Sequence, residues 1–172
     1  MDWKWFEDAE NLSDRQTAMT ATEIPLTLHN RQRAVRLEMR WLRAFARLIL
    51  PACLAESGDG RFALREIEEI AVAIVSDRAI TAVHERFMQI PGATDVITFA
   101  HGDVVVSAET ARARAAELGH RVESELALYI VHALLHLNGF DDTSPRAAAR
   151  MRRVQDRLWR EGLTQLPPPP EL

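Results

Sequence analysis

The chain has 172 residues, 47% of them hydrophobic and 27% charged, with a net charge of −4. That balance describes a globular domain large enough to bury a core and excludes a disordered or fibrous chain. The longest apolar run, residues 44–55, is broken by Arg47 and Pro51 and falls short of the ~20 residues that cross a bilayer. The acidic opening MDWKWFEDAENLSDRQ lacks the apolar stretch of a secretory signal, so a cytoplasmic protein with no membrane partner is expected. Cys53 is the only cysteine, which excludes an internal disulfide and any Cys-rich zinc site and leaves metal chemistry to histidine and carboxylates. Its apolar surroundings predict a buried thiol.

Residues 1–20 are polar and without period, and are expected to form a mobile extension. Residues 23–29 alternate weakly through Ile24, Leu26 and Leu28, as a short strand does. Over residues 33–50, Val35, Met39, Leu42, Ala46 and Ile49 recur at helical spacing, which predicts an amphipathic helix that Pro51 ends or kinks. Ser57-Gly58-Asp59-Gly60 reads as a loop. Residues 70–75 form an apolar, β-branched run of strand length, followed by Ser76-Asp77 as the cap of a helix from Ala79 to about Met88. After the Pro91-Gly92 turn, residues 95–99 and 102–106 predict a hairpin closing at Ala100-His101. Ser107 is placed to cap a helix over 108–118 that Gly119 ends, and residues 122–137 form a longer, strongly apolar and therefore buried helix. The last helix is expected from Ser144 or Pro145 to about Glu161, with Gly162 just past its end. Pro167 to Pro170 predict a stiff, disordered tail. The whole is an α+β domain over residues 21–163, a small mixed sheet of about four strands packed with about five helices, followed by a Pro-rich tail over 164–172.

The most informative stretch is Tyr129-Ile-Val-His132-Ala-Leu-Leu-His136-Leu-Asn-Gly139-Phe-Asp141-Asp142. His132 and His136 are four apart, so on a helix both imidazoles leave the same face and reach one ion. A histidine pair on an apolar helix is equally what a satisfied core contains. Gly139 separates the readings, because it lets the backbone leave the helix sharply and brings Asp141 or Asp142 back as a third ligand. Three protein ligands leave a position for water, the arrangement of a catalytic site. The metalloprotease pattern HExxH carries its general base directly after the first histidine, and Ala133 at that position disfavours a peptidase.

HALLHLNGFDD resembles the HGxLHLxGYDH motif of YbeY-type metal-dependent endoribonucleases. Thr94-Asp95-Val96-Ile97-Thr98-Phe99 is similar to that family's TDVLSFP, and Gly102-Asp103-Val104-Val105-Val106-Ser107 to its GDIVIS. The resemblance runs from about residue 68 to 162 and plausibly back to 23. It implies one zinc-type ion and a hydrolase acting on single-stranded RNA during small-subunit rRNA maturation and ribosome quality control. His132 and His136 match the first two ligands; the third family histidine falls on Asp142, which binds zinc but leaves its water less acidic. Asp141 matches the carboxylate before it and is expected to orient a ligand from behind. The family's arginine ahead of TDVLSFP falls on Met88, which cannot contact a phosphate as arginine does. Arg86 is the nearest replacement, although on a helix it points about 200° away from position 88. These two departures motivate a second reading, a ribosome-assembly RNA-binding factor that keeps the fold with weakened or lost catalysis.

Lys4 is the only lysine beside twenty arginines. Arg33, Arg36, Arg40, Arg43 and Arg47 share one predicted helical face, and Arg146, Arg150, Arg153, Arg157 and Arg160 share another. Either row is an ordinary solvated face or a track for RNA phosphates; Arg36, Arg40, Arg43 and Arg47 are carried as candidate RNA contacts. Trp41 and Trp159 are expected at the core edge. His84, His101 and His120 lack ligand spacing and are expected on the surface, with His101 near the site.

Overall fold

The computed structural model describes residues 24–60 and 63–170; the extension expected over residues 1–20 lies outside them. Four strands are present among the described residues: β1 (Leu26–Asn30), β2 (Ile70–Val75), β3 (Val96–Thr98) and β4 (Asp103–Ser107). They form one sheet in the order β1-β2-β4-β3. The first three in that order run parallel, in a register that aligns Leu28 with Val72 and Val72 with Val104, while β3 pairs antiparallel with β4. Five α-helices accompany the sheet among the described residues: α1 (Met39–Ala55), α2 (Asp77–Met88), α3 (Ala108–Leu118), α4 (Val122–Leu137) and α5 (Pro145–Gln165). Among the described residues no helix is long and apolar enough to cross a membrane.

Side-chain alternation divides the sheet into two unlike faces. Ile70, Val72 and Ile74 of β2 join Val104 and Val106 in the main core with residues of α1, α3, α4 and α5. Ala73, Val75, Val105 and Ile97 point the other way and join Ile80 and Val83 of α2 in a smaller cluster, with Ala79 and Phe99 packed against it. Helix α4 is the centre of the larger layer: Leu126, Ile130, Val131 and Leu135 are fully buried, as its near-continuous apolar sequence requires. Serine caps fix where α2, α3 and α5 begin. Ser76 Oγ accepts from Ala79 N, Ser107 Oγ from Thr110 N and Ser144 Oγ from Ala147 N, each satisfying a first-turn N–H that has no helical partner. Asp77 joins two of these caps, accepting from the hydroxyls of Ser107 and Thr110.

Four expectations are corrected. Helix α1 starts at Met39, so Arg33 and Arg36 precede it and only Arg40, Arg43 and Arg47 lie on it. Gln32 explains the delay: its side chain accepts from Val35 N at 2.8 Å and donates to Val35 O at 2.9 Å, closing a local turn that competes with the helix. Pro51 does not end α1, which continues to Ala55 and buries Cys53. Gly162 does not stop α5; the helix runs to Gln165, and a Cβ at 162 would stand 2.6 Å from the Phe45 ring. The glycine is there for close helix packing. The proline tail is held as far as Pro170, because Pro167 O accepts from Trp41 Nε1 at 2.7 Å and Pro170 O from Arg121 at 2.6 Å.

Candidate metal centre

The chain leaves α4 through Gly139, whose φ of +80° places it in the left-handed region. Glycine tolerates that region without steric cost, and the turn lets Phe140 N donate back to Leu135 O at 3.0 Å. Residues 140–142 are thereby folded against the last turn of the helix. Asn138 fixes this exit from below, donating from Nδ2 to the Cys53 and Glu56 carbonyls and accepting from Leu64 N. The loop expected at 57–60 lies on the same turn, with Gly58 N donating to Asn138 O and Gly60 N to Gly139 O.

This geometry brings His132, His136 and Asp142 together, one ligand atom from each lying within 4.8 Å of the others. The Nε2 atoms of the two histidines are 2.9 Å apart, and Asp142 Oδ2 is 4.0 Å from His132 Nε2 and 3.8 Å from His136 Nε2. Ligands about 2.0–2.1 Å from one tetrahedral ion are separated by roughly 3.3–3.4 Å, a value these distances bracket. The protonation pattern is stricter. His132 Nδ1 lies 2.8 Å from Gln155 Oε1 and His136 Nδ1 lies 3.1 Å from Phe140 O. Both oxygens only accept, so in each neutral ring the proton sits on Nδ1 and the Nε2 lone pair is bare. Two lone pairs and a carboxylate thus converge with no donor among them, which suits a cation. Burial first, and then the neighbouring His132, lower the pKa of His136 from its ordinary value, favouring the neutral form that a metal requires.

The cluster opens into a cleft of about 930 Å³ lined on one side by Gly60, Gly139, Phe140 and Asp141 and on the other by Met88, Thr94 to Thr98 and Ala100. Asp141, expected to orient a ligand, instead accepts from the amide and hydroxyl of Thr143 at 2.9 and 2.7 Å. The atoms that orient the imidazoles are Gln155 Oε1 and Phe140 O, which sequence reasoning missed. Gln155 stands 23 residues from its partner on another helix, and nothing local marks it. Arg86 is exposed in the last turn of α2 with its guanidinium 5.5 Å from the Phe87 ring, and Met88 rather than Arg86 lines the cleft. Arg43 and Arg47 line a separate, small cleft of about 200 Å³ against β1, and Arg43 donates to Leu28 O; neither lines the cleft at the cluster. Arg36 and Arg40 are exposed and line none of these clefts.

The class this arrangement fits is the single-ion hydrolases: two histidines four apart on a buried helix and a carboxylate returned by the turn that follows, at the floor of an open cleft. Residues 27–162 match the family model described as Endoribonuclease YbeY. The endoribonuclease YbeY of Synechococcus sp. (strain CC9605) is 33% identical over 142 residues, 73% of this chain and 86% of that protein. The endoribonuclease YbeY of Anaeromyxobacter dehalogenans (strain 2CP-C) is 38% identical over 110 residues, 58% of this chain and 57% of that protein. A Thermotoga maritima protein solved in solution shares the fold at a TM-score of 0.50 and 18% identity, covering 86% of this chain and 99% of that one. The chain belongs to the YbeY family of endoribonucleases.

Proposed function

We infer that this protein is a metal-dependent endoribonuclease that hydrolyses phosphodiester bonds in single-stranded RNA, with rRNA of the small ribosomal subunit as its substrate and the cytoplasm as its place of work. His132, His136 and Asp142 hold the ion, and a donor set of two imidazoles and one carboxylate suits zinc. One observation carries the reading: a ligand atom from each of His132, His136 and Asp142 converges at the floor of a cleft, while each histidine Nδ1 faces an oxygen of Gln155 or Phe140. When bound, such an ion supplies Lewis acidity and a water of lowered pKa.

The chain's own residues do the rest. Gln155 and the Phe140 carbonyl hold the two imidazole planes by their Nδ1 protons; such outer partners typically carry 10- to 100-fold of metal affinity. Gly139 and the Asp141–Thr143 turn bring Asp142 to the third position. The cleft beside the ligand cluster is lined by both β3 and the Phe140–Asp142 turn. Elemental analysis of protein purified without added metal, paired with cleavage of a labelled single-stranded RNA, tests the reading. One zinc or similar ion per chain and chelator-sensitive cleavage are expected, both lost in His136→Ala and Asp142→Ala. Absence of metal after incubation with zinc would overturn it, and retained RNA binding without cleavage would put the assembly-factor reading in its place, which Met88 in the cleft wall favours.

A further inference from the structure

A second cleft, of about 730 Å³, continues from the first and shares Gly60, Gly139, Phe140 and Asp141 with it. Its far wall is the start of α5, which contributes Arg146, Arg150 and Arg153. Spaced four and three apart, these side chains leave one face of the helix. Arg150 is engaged, pairing with Asp59, donating to Ser57 O at 2.9 Å and lying 5.2 Å over the Phe140 ring. It clamps the 57–60 loop to the turn that carries Asp142. Arg146 and Arg153 are exposed and have no hydrogen-bond or ion-pair partner among the described residues. Arg146 also stands in the first turn of α5, which holds no acidic residue, where the positive pole of the helix disfavours a cation. An arginine in a cleft wall with no protein partner leaves its donors available to an anionic ligand.

The opposite wall explains what that ligand needs. There the cleft presents Met88, and Arg86 lies over Phe87 without lining it. Among the described residues that line the cleft, the β3 side therefore offers a phosphodiester strand no guanidinium. We propose that Arg146 and Arg153 form a phosphate-binding subsite for the strand flanking the cleaved bond, so that RNA enters along α5 and crosses the metal cluster toward Met88. The proposal rests on the endoribonuclease reading. Guanidinium forks suit this role because each can offer two parallel donors to one phosphate.

The test uses the full chain and a 2′-O-methylated RNA oligonucleotide that resists cleavage, with binding followed by fluorescence anisotropy between 50 and 200 mM salt. Arg146→Ala/Arg153→Ala is compared with Arg146→Lys/Arg153→Lys and with Arg152→Ala/Arg160→Ala, exposed arginines of α5 that do not line the cleft. Two lost phosphate contacts lower the salt slope by about 1.4 in logarithmic terms and the affinity by about tenfold near 100 mM salt. The lysine pair retains the slope and the control pair resembles wild type. Equal loss in the control pair, or no change in the cleft pair, overturns the subsite. Metal-dependent cleavage of unmodified RNA by the wild type is scored separately, so a failure of the nuclease reading is distinguished from a failure of the subsite.

Discussion

Helix α4 carries a histidine–carboxylate cluster at each end, and the two differ in burial and in hydrogen bonding. At the N-terminal end, Glu123 and Glu125 are 0% and 2% exposed. Glu123 accepts from Glu38 N at 3.0 Å and from Arg121 Nε at 3.4 Å, Glu125 lies 2.7 Å from His120 Nε2, and Tyr129 hydrogen-bonds to Glu125. Burial and the Glu125 charge push the Tyr129 hydroxyl up from its ordinary value. Every acceptor there has a donor from the protein. At the C-terminal end, the side chains of His132 and His136 are 25% and 26% exposed, and their Nε2 atoms face each other and Asp142 with no donor between them. The same residue types on one helix thus make a finished structural joint and an unfinished one. Burial of the carboxylates and completeness of hydrogen bonding together, rather than residue type, separate structure from site.

Removing a member of each cluster breaks the comparison most directly. His136→Ala is expected to abolish metal binding and reduce RNA cleavage by more than about 10³-fold, while metal-free stability in urea changes by no more than about 1 kcal/mol. Glu123→Ala should do the reverse. It strands the Glu38 amide and leaves Arg121 Nε without its carboxylate, and urea unfolding should show a loss of about 3 kcal/mol with metal stoichiometry unchanged. A Glu123 variant as stable as wild type, or a His136 variant that keeps its metal, would mean that the two ends of α4 do not divide the work in this way.

Gln155 sharpens the contrast, because its role is to complete the unfinished end. Gln155→Leu keeps the shape of the side chain but removes the acceptor for His132 Nδ1. Competition with a chromophoric chelator should show zinc affinity falling 10- to 100-fold, with stability altered by less than about 1 kcal/mol for this half-buried group. Unchanged affinity would show that packing alone orients His132.

Much of this was legible. The strands, the serine caps and α4 follow from local patterns, and the His132–His136–Gly139–Asp142 spacing leads to a cluster that the backbone then forms. What was not legible depends on partners distant in sequence. The start of α1 was misplaced because Arg33, Val35 and Arg36 extend the helical period, while Glu38 N is held by Glu123, 85 residues away. Gly162 resembles a helix stop until Phe45 is placed against it. His120 was expected on the surface, but pairing with Glu125 and a tilted contact with Trp159 leave its side chain 23% exposed. Trp41 and Trp159 do sit at the core edge, their Nε1 atoms donating to the Pro167 and Ser124 carbonyls. His101 stacks on Phe99 at 5.7 Å beside the cleft mouth but does not line it.

Cys53 gives the smallest expected effect and separates burial from completeness in a third way. Its backbone carbonyl is tied to Asn138 at the metal end of α4, while burial pushes its thiol up to about 12 from 9.0. The sign follows from linkage. Above pH 9 the unfolded chain releases the thiol proton and the folded chain keeps it, so stability falls as pH rises, by at most about 1.4 kcal/mol per pH unit. Below pH 9 both states hold the proton and this contribution to the pH dependence vanishes. Urea midpoints measured from pH 8 to 10.5 should fall more steeply for wild type than for Cys53→Ala, and iodoacetamide should label Cys53 at pH 8 only after unfolding. Parallel pH profiles for the two proteins, or rapid labelling of the folded chain, would show that the floor beneath the α4 exit opens to solvent. The metal cluster above it would then rest on a mobile support, contrary to the rigid backbone that Asn138 appends to it through three hydrogen bonds.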